Sequence, residues 1–180
     1  MNLFKYEGYK VVISPEALML KPFREIYNRD KSKSKDLAFL ELSYIYFYCD
    51  PRSDYQYIID SDDKDKAIRE GLDLIKWKPD KKIQEAITFY NSFKSTSSLL
   101  LEDTRIAVDK LRQILKDIDL NQLDDKGKPV YTLNVITSTI KQVPSLAKDL
   151  AEAEKACTQD FIENTKMKGD KSKTLLEDGF

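Results

Sequence analysis

The chain has 180 residues, with 30 Lys and Arg against 31 Asp and Glu, and no His. A net charge of −1 excludes a protein that holds nucleic acid by a blanket of positive charge, and the missing His excludes Ser–His and Cys–His nucleophile pairs and His-ligated metals. At 41% hydrophobic there is material for a real core, while two cysteines, Cys49 and Cys157, suit neither a zinc site nor a disulfide framework.

In chain order, residues 1–13 read as an extended segment. Leu3, Phe4, Tyr6, Val11 and Ile13 surround Gly8, so one short strand or two are expected. Ser14-Pro15-Glu16 then spells a helix start, with Ser14 as cap and Pro15 in the first turn. Pro22 cuts that helix short and opens another through Phe23, Ile26 and Tyr27. Lys31–Lys35 is a polar break. The run Leu37–Tyr48 follows, apolar on almost every side, and predicts a central helix over about residues 36–49, stopped by Asp50-Pro51. Ser61-Asp62-Asp63 starts a further helix carrying Ile68, Leu72 and Ile75. Trp77-Lys78-Pro79 ends it, and Asp80 begins a helix with the stripe Ile83, Ala86, Ile87, Tyr90 and Phe93. After Ser95–Ser98, a helix is expected to carry Leu101, Val108, Leu111, Ile114, Leu115 and Ile118 on one side and an Arg105–Asp109 pair on the other.

Asp124–Pro129 is a turn signal for a loop or small hairpin. From Thr132 the positions Leu133, Ile136, Ile140, Val143, Ala147, Leu150, Glu154, Cys157 and Phe161 step by three and four, the period of a helix-packing seam. Pro144 is expected to kink or split that helix. Residues 166–180 lack periodicity and predict a mobile tail whose Leu175, Leu176 and Phe180 can dock on a neighbour. The expected fold is all-α: one helical domain over 1–165, a bundle of about five to six helices.

Charge is evenly spread, with nine basic and nine acidic residues in 1–60, twelve and twelve in 61–120, and nine and ten in 121–180. Met1–Glu7 has no apolar run of signal-peptide length, and no stretch has the eighteen or more apolar residues of a membrane span. Synthesis in a reducing cytoplasm and no membrane partner are therefore expected. Asp60–Asp65 resembles the head of an EF-hand loop, yet the fifth, sixth and twelfth positions hold Lys64, Asp65 and Gly71 where oxygen, Gly and Glu are needed. Gly169–Thr174 lacks the spacing of a phosphate loop. No metal, cofactor, small-molecule substrate or enzymatic activity is expected. The tyrosines of the segment 44–57 divide into core positions and two candidate partner contacts, Tyr55 and Tyr57, which lie beyond the Asp50-Pro51 stop. Lys21, Arg24, Arg29, Lys31, Lys33 and Lys35 form the only local excess of positive charge, a candidate contact for an acidic surface or a nucleic-acid backbone.

Several segments carry a resemblance. They are Tyr9–Lys35, with Ser14–Leu18 and Leu20–Phe23 inside it, Leu40–Tyr55, with Leu42–Phe47 and Cys49–Ser53, Trp77–Asp80, and Asp125–Tyr131. Together they resemble structural proteins of tailed bacteriophages, most of all those of the large crAss-like podoviruses. The resemblance implies a virion component at the head–tail junction: a ring or adaptor protein of the neck, without catalytic residues. Its partners would be further copies in a ring, the portal, other neck or tail proteins, and possible packaged DNA. A ring closed by a heterologous contact needs two different patches per subunit. Leu3, Phe4, Tyr6, Val11 and Ile13 at one end and Leu175, Leu176 and Phe180 at the other are the candidates, with Tyr55 and Tyr57. The alternatives are another tail- or capsid-associated virion protein, or a small helical nucleic-acid-binding or regulatory protein.

Overall fold

Gly8 and Tyr9 both take positive φ, 56° and 62°, the geometry of a two-residue turn whose twist matches that of its flanking strands. The turn joins β1 (Phe4–Glu7) to β2 (Lys10–Ile13) as an antiparallel hairpin with Phe4 opposite Ile13 and Glu7 opposite Lys10. This computed structural model describes residues 3–119, 122, 123 and 125–177, with side chains as far as residue 163.

The helices begin where the local chemistry places them. Ser14 Oγ accepts from the Ala17 N–H at 3.2 Å to open α1 (Pro15–Met19), and Pro22 stands in the first turn of α2 (Lys21–Arg29). The central helix, α3, spans Asp36–Cys49 as the apolar run predicts. Its start needs a distant cap. Lys35, in the left-handed region at φ 59°, has no capping side-chain bond. Instead Asp30 accepts from the Ser32 N–H at 2.8 Å and the Ala38 N–H at 3.1 Å. The Ser32 hydroxyl, together with those two N–H groups, holds the Asp30 carboxyl below the ordinary aspartate range.

α4 (Ser61–Gly71) is capped by Asp60, which accepts from Asp62 and Asp63. α5 (Lys81–Asn91) is capped by Asp80 through the Ile83 N–H at 3.0 Å. The core of this region gathers Leu3, Phe4, Phe23, Ile26, Leu42, Ile45, Ile68 and Ile83, all at 2% exposure or less. Each such aliphatic or aromatic side chain contributes about 1.5–3 kcal/mol of burial. Two sequence expectations fail at the edges. α4 ends before Leu72, so Ile75 leaves the helical row and is exposed, and Phe93 lies beyond α5 and is exposed.

α6 spans Thr96–Asp117. A loop follows, in which Leu123 bridges Pro129 and the Gln122 carbonyl accepts from the Val130 N–H at 2.9 Å. α7 then spans Leu133–Glu177 and is not split at Pro144, whose missing N–H leaves the Ile140 carbonyl without its helical donor. The backbone is thus helical over most of the expected tail, to Glu177. The stretch read as one domain falls into two compact units, residues up to Ser95 with those from Gln159 on, and Thr96–Thr158. The fold is mainly helical, with seven helices and one hairpin among the described residues.

Candidate functional site

On the first unit an open apolar groove of 680 Å³ runs between β2 and α3. One wall is Tyr9 to Ile13, the other is Asp36, Phe39, Leu40, Ser43 and Phe47, and Leu72 completes the lining. The register makes this groove more than a dent. In a two-residue hairpin Glu7 and Lys10 exchange hydrogen bonds, and pairs alternate from there. Lys5–Val12 is then the next bonded pair, and Val11 and Ile13 turn their N–H and C=O groups to the far side of β2. The described sheet has two strands only, so that far side is an edge open to another extended segment.

α3 can present this wall because buried charge networks hold it from the other sides. Glu41, 2% exposed, takes both arms of the Arg29 guanidinium, with Nε at 2.9 Å, and also accepts from Trp77 Nε1 at 3.2 Å. Arg29 continues to Asp80 at 2.5 Å. Burial alone would lower the Arg29 guanidinium, but Glu41 and Asp80 hold it above its ordinary value. At the other end of α3, Asp50, 1% exposed, accepts from Tyr90 Oη at 2.7 Å and from Arg52 Nε at 2.8 Å. Arg52 also donates to the Phe4 carbonyl at 3.4 Å, which ties β1 to the turn that follows α3. Burial, followed by the Asp50 charge and its hydrogen bond, pushes the Tyr90 phenol well up. Tyr44 Oη donates to Asp65 at 2.6 Å, and Asp65 also holds Arg69 Nε at 2.9 Å. These carboxylates belong to the scaffold: each accepts from donors on another element and so joins the two.

The residues singled out from sequence fall in different places. Leu3 and Phe4 are core, not contact: Phe4 stacks on Tyr90 with ring centroids 5.7 Å apart and meets Phe23 edge-on at 5.4 Å. Val11 and Ile13 are half-buried on the groove wall, and Tyr6, at 39% exposure, lies over Tyr46 and Phe47. Tyr55 packs edge-on against Phe47 at 5.3 Å, whereas Tyr57 is exposed. Leu175, Leu176 and Phe180 lie outside the described side chains. The basic cluster does not form one patch. Arg29 is tied to Glu41 and Asp80, Lys21 stands 3.9 Å from Glu25, and Lys35 donates to the Asp30 carbonyl and covers the Tyr27 ring. Lys31 and Lys33 are exposed on the α2–α3 loop, and Arg24 is exposed on α2. The acidic segment starts α4, as expected, and its first residue, Asp60, is the cap, occupied by the Asp62 and Asp63 N–H groups.

Sequence reasoning missed Phe39, Leu40, Ser43 and Leu72 as groove residues, because Phe39 and Leu40 read as core. The available signal was an excess: a helix apolar on all sides needs cover on all sides, and the neighbours leave Phe39 42% exposed.

No family model, curated protein or solved structure matches this chain. Among the described residues no helix is long and apolar enough to cross a membrane, and no cluster of three or more Cys, Asp or Glu side chains is arranged to hold a metal ion.

In the second unit, Arg105 is not paired with Asp109 as the spacing suggests. It is buried and reaches Glu154 of α7 at 3.3 Å, while Asp109 accepts from Gln113. Ser98 Oγ lies 3.6 Å from Cys157 Sγ. Ala153 and Cys157 are the only residues of the α7 part of this unit that are fully buried among those described; Leu133, Ile140 and Val143 of the expected seam are exposed. Ile114, read as part of the inward row of α6, is 51% exposed.

Proposed function

We propose that this protein is a structural subunit of a homo-oligomeric virion ring, a component of the neck that joins a phage head to its tail. The resemblance in sequence supplies the setting. The observation that supports the subunit role is the β2–α3 groove, where an unpaired strand edge and an apolar wall lie together on a rigidly held helix. Such a surface accepts an extended or apolar segment of a neighbour by main-chain pairing plus side-chain pockets. A ring needs a second, different patch to fill it, and the C-terminal residues with Leu175, Leu176 and Phe180 are assigned that part. The portal and the adjoining neck or tail proteins are the further partners. The divided basic cluster lends no support to the nucleic-acid-binding alternative.

The test follows from the register. Val11→Pro removes an outward N–H from the β2 edge while leaving the β1–β2 bonded pairs in place, and a second variant ends the chain after Thr165. Particle mass is read by native mass spectrometry and electron microscopy, alone and with a portal. Both variants are expected to stay helical and to lose the ring. Rings formed by both variants as well as by the unaltered chain would refute the assignment.

A further inference from the structure

The second unit carries a different surface. α6 buries Ser98, Leu101 and Arg105 on one side. On the opposite side Leu99, Asp103, Ile106, Lys110 and Ile114 follow one another in steps of four, three, four and four, which a helix of 3.6 residues per turn sets along one line. Leu99 is 47%, Ile106 37% and Ile114 51% exposed, with Leu100 beside them at 56%. A polar outer face is the ordinary condition of a helix packed on one side only. This one alternates apolar residues with one acid and one base, and both charges are solvent-exposed.

The order of that row is self-complementary. Laid antiparallel on a second copy of itself and centred between Ile106 and Ala107, it places Leu99 opposite Ile114, Asp103 opposite Lys110, and Ile106 opposite Ala107. Two-fold symmetry then repeats each pairing on the other side. A parallel pairing in register would set Asp103 against Asp103 and Lys110 against Lys110, which like-charge repulsion disfavours. The charges therefore select both the partner and the direction.

We infer that α6 is a two-fold contact through which two copies of this chain pair antiparallel in solution. The inference goes beyond the ring reading: a ring contact chains copies through two different patches, whereas this contact pairs them through one, in another part of the molecule. From Leu99 to Ile114 the row spans about 22 Å. A contact confined to one helix face of that length is small for a permanent dimer, so the pairing is reversible and depends on concentration.

The experiment is sedimentation velocity on the full chain over a range of concentrations. Without a portal, and below the concentration at which rings assemble, the unaltered protein is expected to shift from monomer to dimer. Asp103→Lys and Lys110→Asp, each alone, turn two attractions into two repulsions and raise the dissociation constant about tenfold or more. An equimolar mixture of the two variants regains the dimer, as does the double variant D103K/K110D. Direction is read separately: a chain with Leu99→Cys mixed with one carrying Ile114→Cys forms a disulfide-linked dimer on oxidation, and Leu99→Cys alone does not. A protein that stays monomeric overturns the inference. So does a linked dimer from Leu99→Cys alone. A dimer or ring whose mass is unmoved by either charge reversal also overturns it, while leaving the ring proposal standing.

Discussion

The region up to Ser95 and the unit Thr96–Thr158 are both built from amphipathic helices, yet they treat apolar residues differently. In the first, α3 is covered by α2, α4, α5 and the hairpin, and Leu42 and Ile45 are fully buried. In the second, only Ser98, Leu101, Arg105, Ala153 and Cys157 are buried among the described residues, and Leu99, Leu100, Ile106, Ile114, Leu133, Val135, Ile140 and Val143 are exposed. The difference is one of enclosure. Several short helices and a hairpin can surround a central helix, whereas two long helices can each bury one stripe. Apolar residues outside that stripe remain available to another molecule.

The largest expected effects test the enclosure of α3. Glu41→Gln removes the buried charge facing Arg29 and leaves one acceptor oxygen where Arg29 and Trp77 use two, and should destabilise the protein by about 3 kcal/mol, measured by urea unfolding. Glu154→Gln in the second unit removes a half-exposed partner of Arg105 and should cost about 1 kcal/mol or less. Equal losses would break the comparison.

Truncation of apolar side chains separates the units next. Leu42→Ala should cost about 2–5 kcal/mol, since the site is walled on all sides. Ile114→Ala and Leu99→Ala should stay within about 0.5 kcal/mol, because both side chains are exposed. Native-state hydrogen exchange should agree, with α3 amides protected to near the global stability and α6 amides opening at lower cost.

A third test uses alkali. Nine of the ten tyrosines precede residue 96, and Tyr131 alone is in the second unit. Burial holds the phenols of Tyr44, Tyr46 and Tyr90 above their ordinary value of 10.0. A folded value above the unfolded one means that this stability is present below pH 10 and is lost as the pH rises beyond it. Part of the phenolate absorbance should therefore appear only as the first unit unfolds, because the phenols of Tyr44, Tyr46 and Tyr90 are held back by burial. Reversible ionisation of these three in the folded protein would contradict the burial of that core.

The smallest effect lies at the acid side. Asp30 is held below its ordinary value of 3.8 by the Ser32 side chain and by the N–H groups of Ser32 and Ala38. Burial opposes the same shift in Asp80, which the Ile83 N–H and Arg29 bring about. Depressed folded values mean stability that is present above the unfolded value and lost as the pH falls below 3.8. Asp30→Asn should flatten the acid limb of the unfolding curve modestly, because the group caps α3 near the surface; an unchanged limb would remove Asp30 from the account.

Much of the helical layout was legible from residue order alone. Ser14-Pro15, Asp50-Pro51, the acids from Asp60 and the pair Pro79-Asp80 are punctuation that acts within one turn of chain, so local chemistry decides it. The interior of α3 was legible for the same kind of reason, since no helix with ten apolar residues in twelve can stay in water. What is covered was less legible. The segment Leu3–Ile13 pointed to an outward contact, but only tertiary packing brings Phe4 against Phe23 and Tyr90 and leaves the far edge of β2 open. The row on α6 was read as one stripe with Arg105 outside it, and the structure turns Arg105 inward to Glu154 and Ile114 outward.

The sequence by itself determined where helices start and stop, that α3 is central, and that no local excess of charge dominates the chain. Tertiary structure alone decided which apolar residues find a partner within the chain and which remain for a neighbour. The physical reason is range: a cap or a proline acts on the next few N–H groups, whereas burial is settled by elements that arrive from tens of residues away.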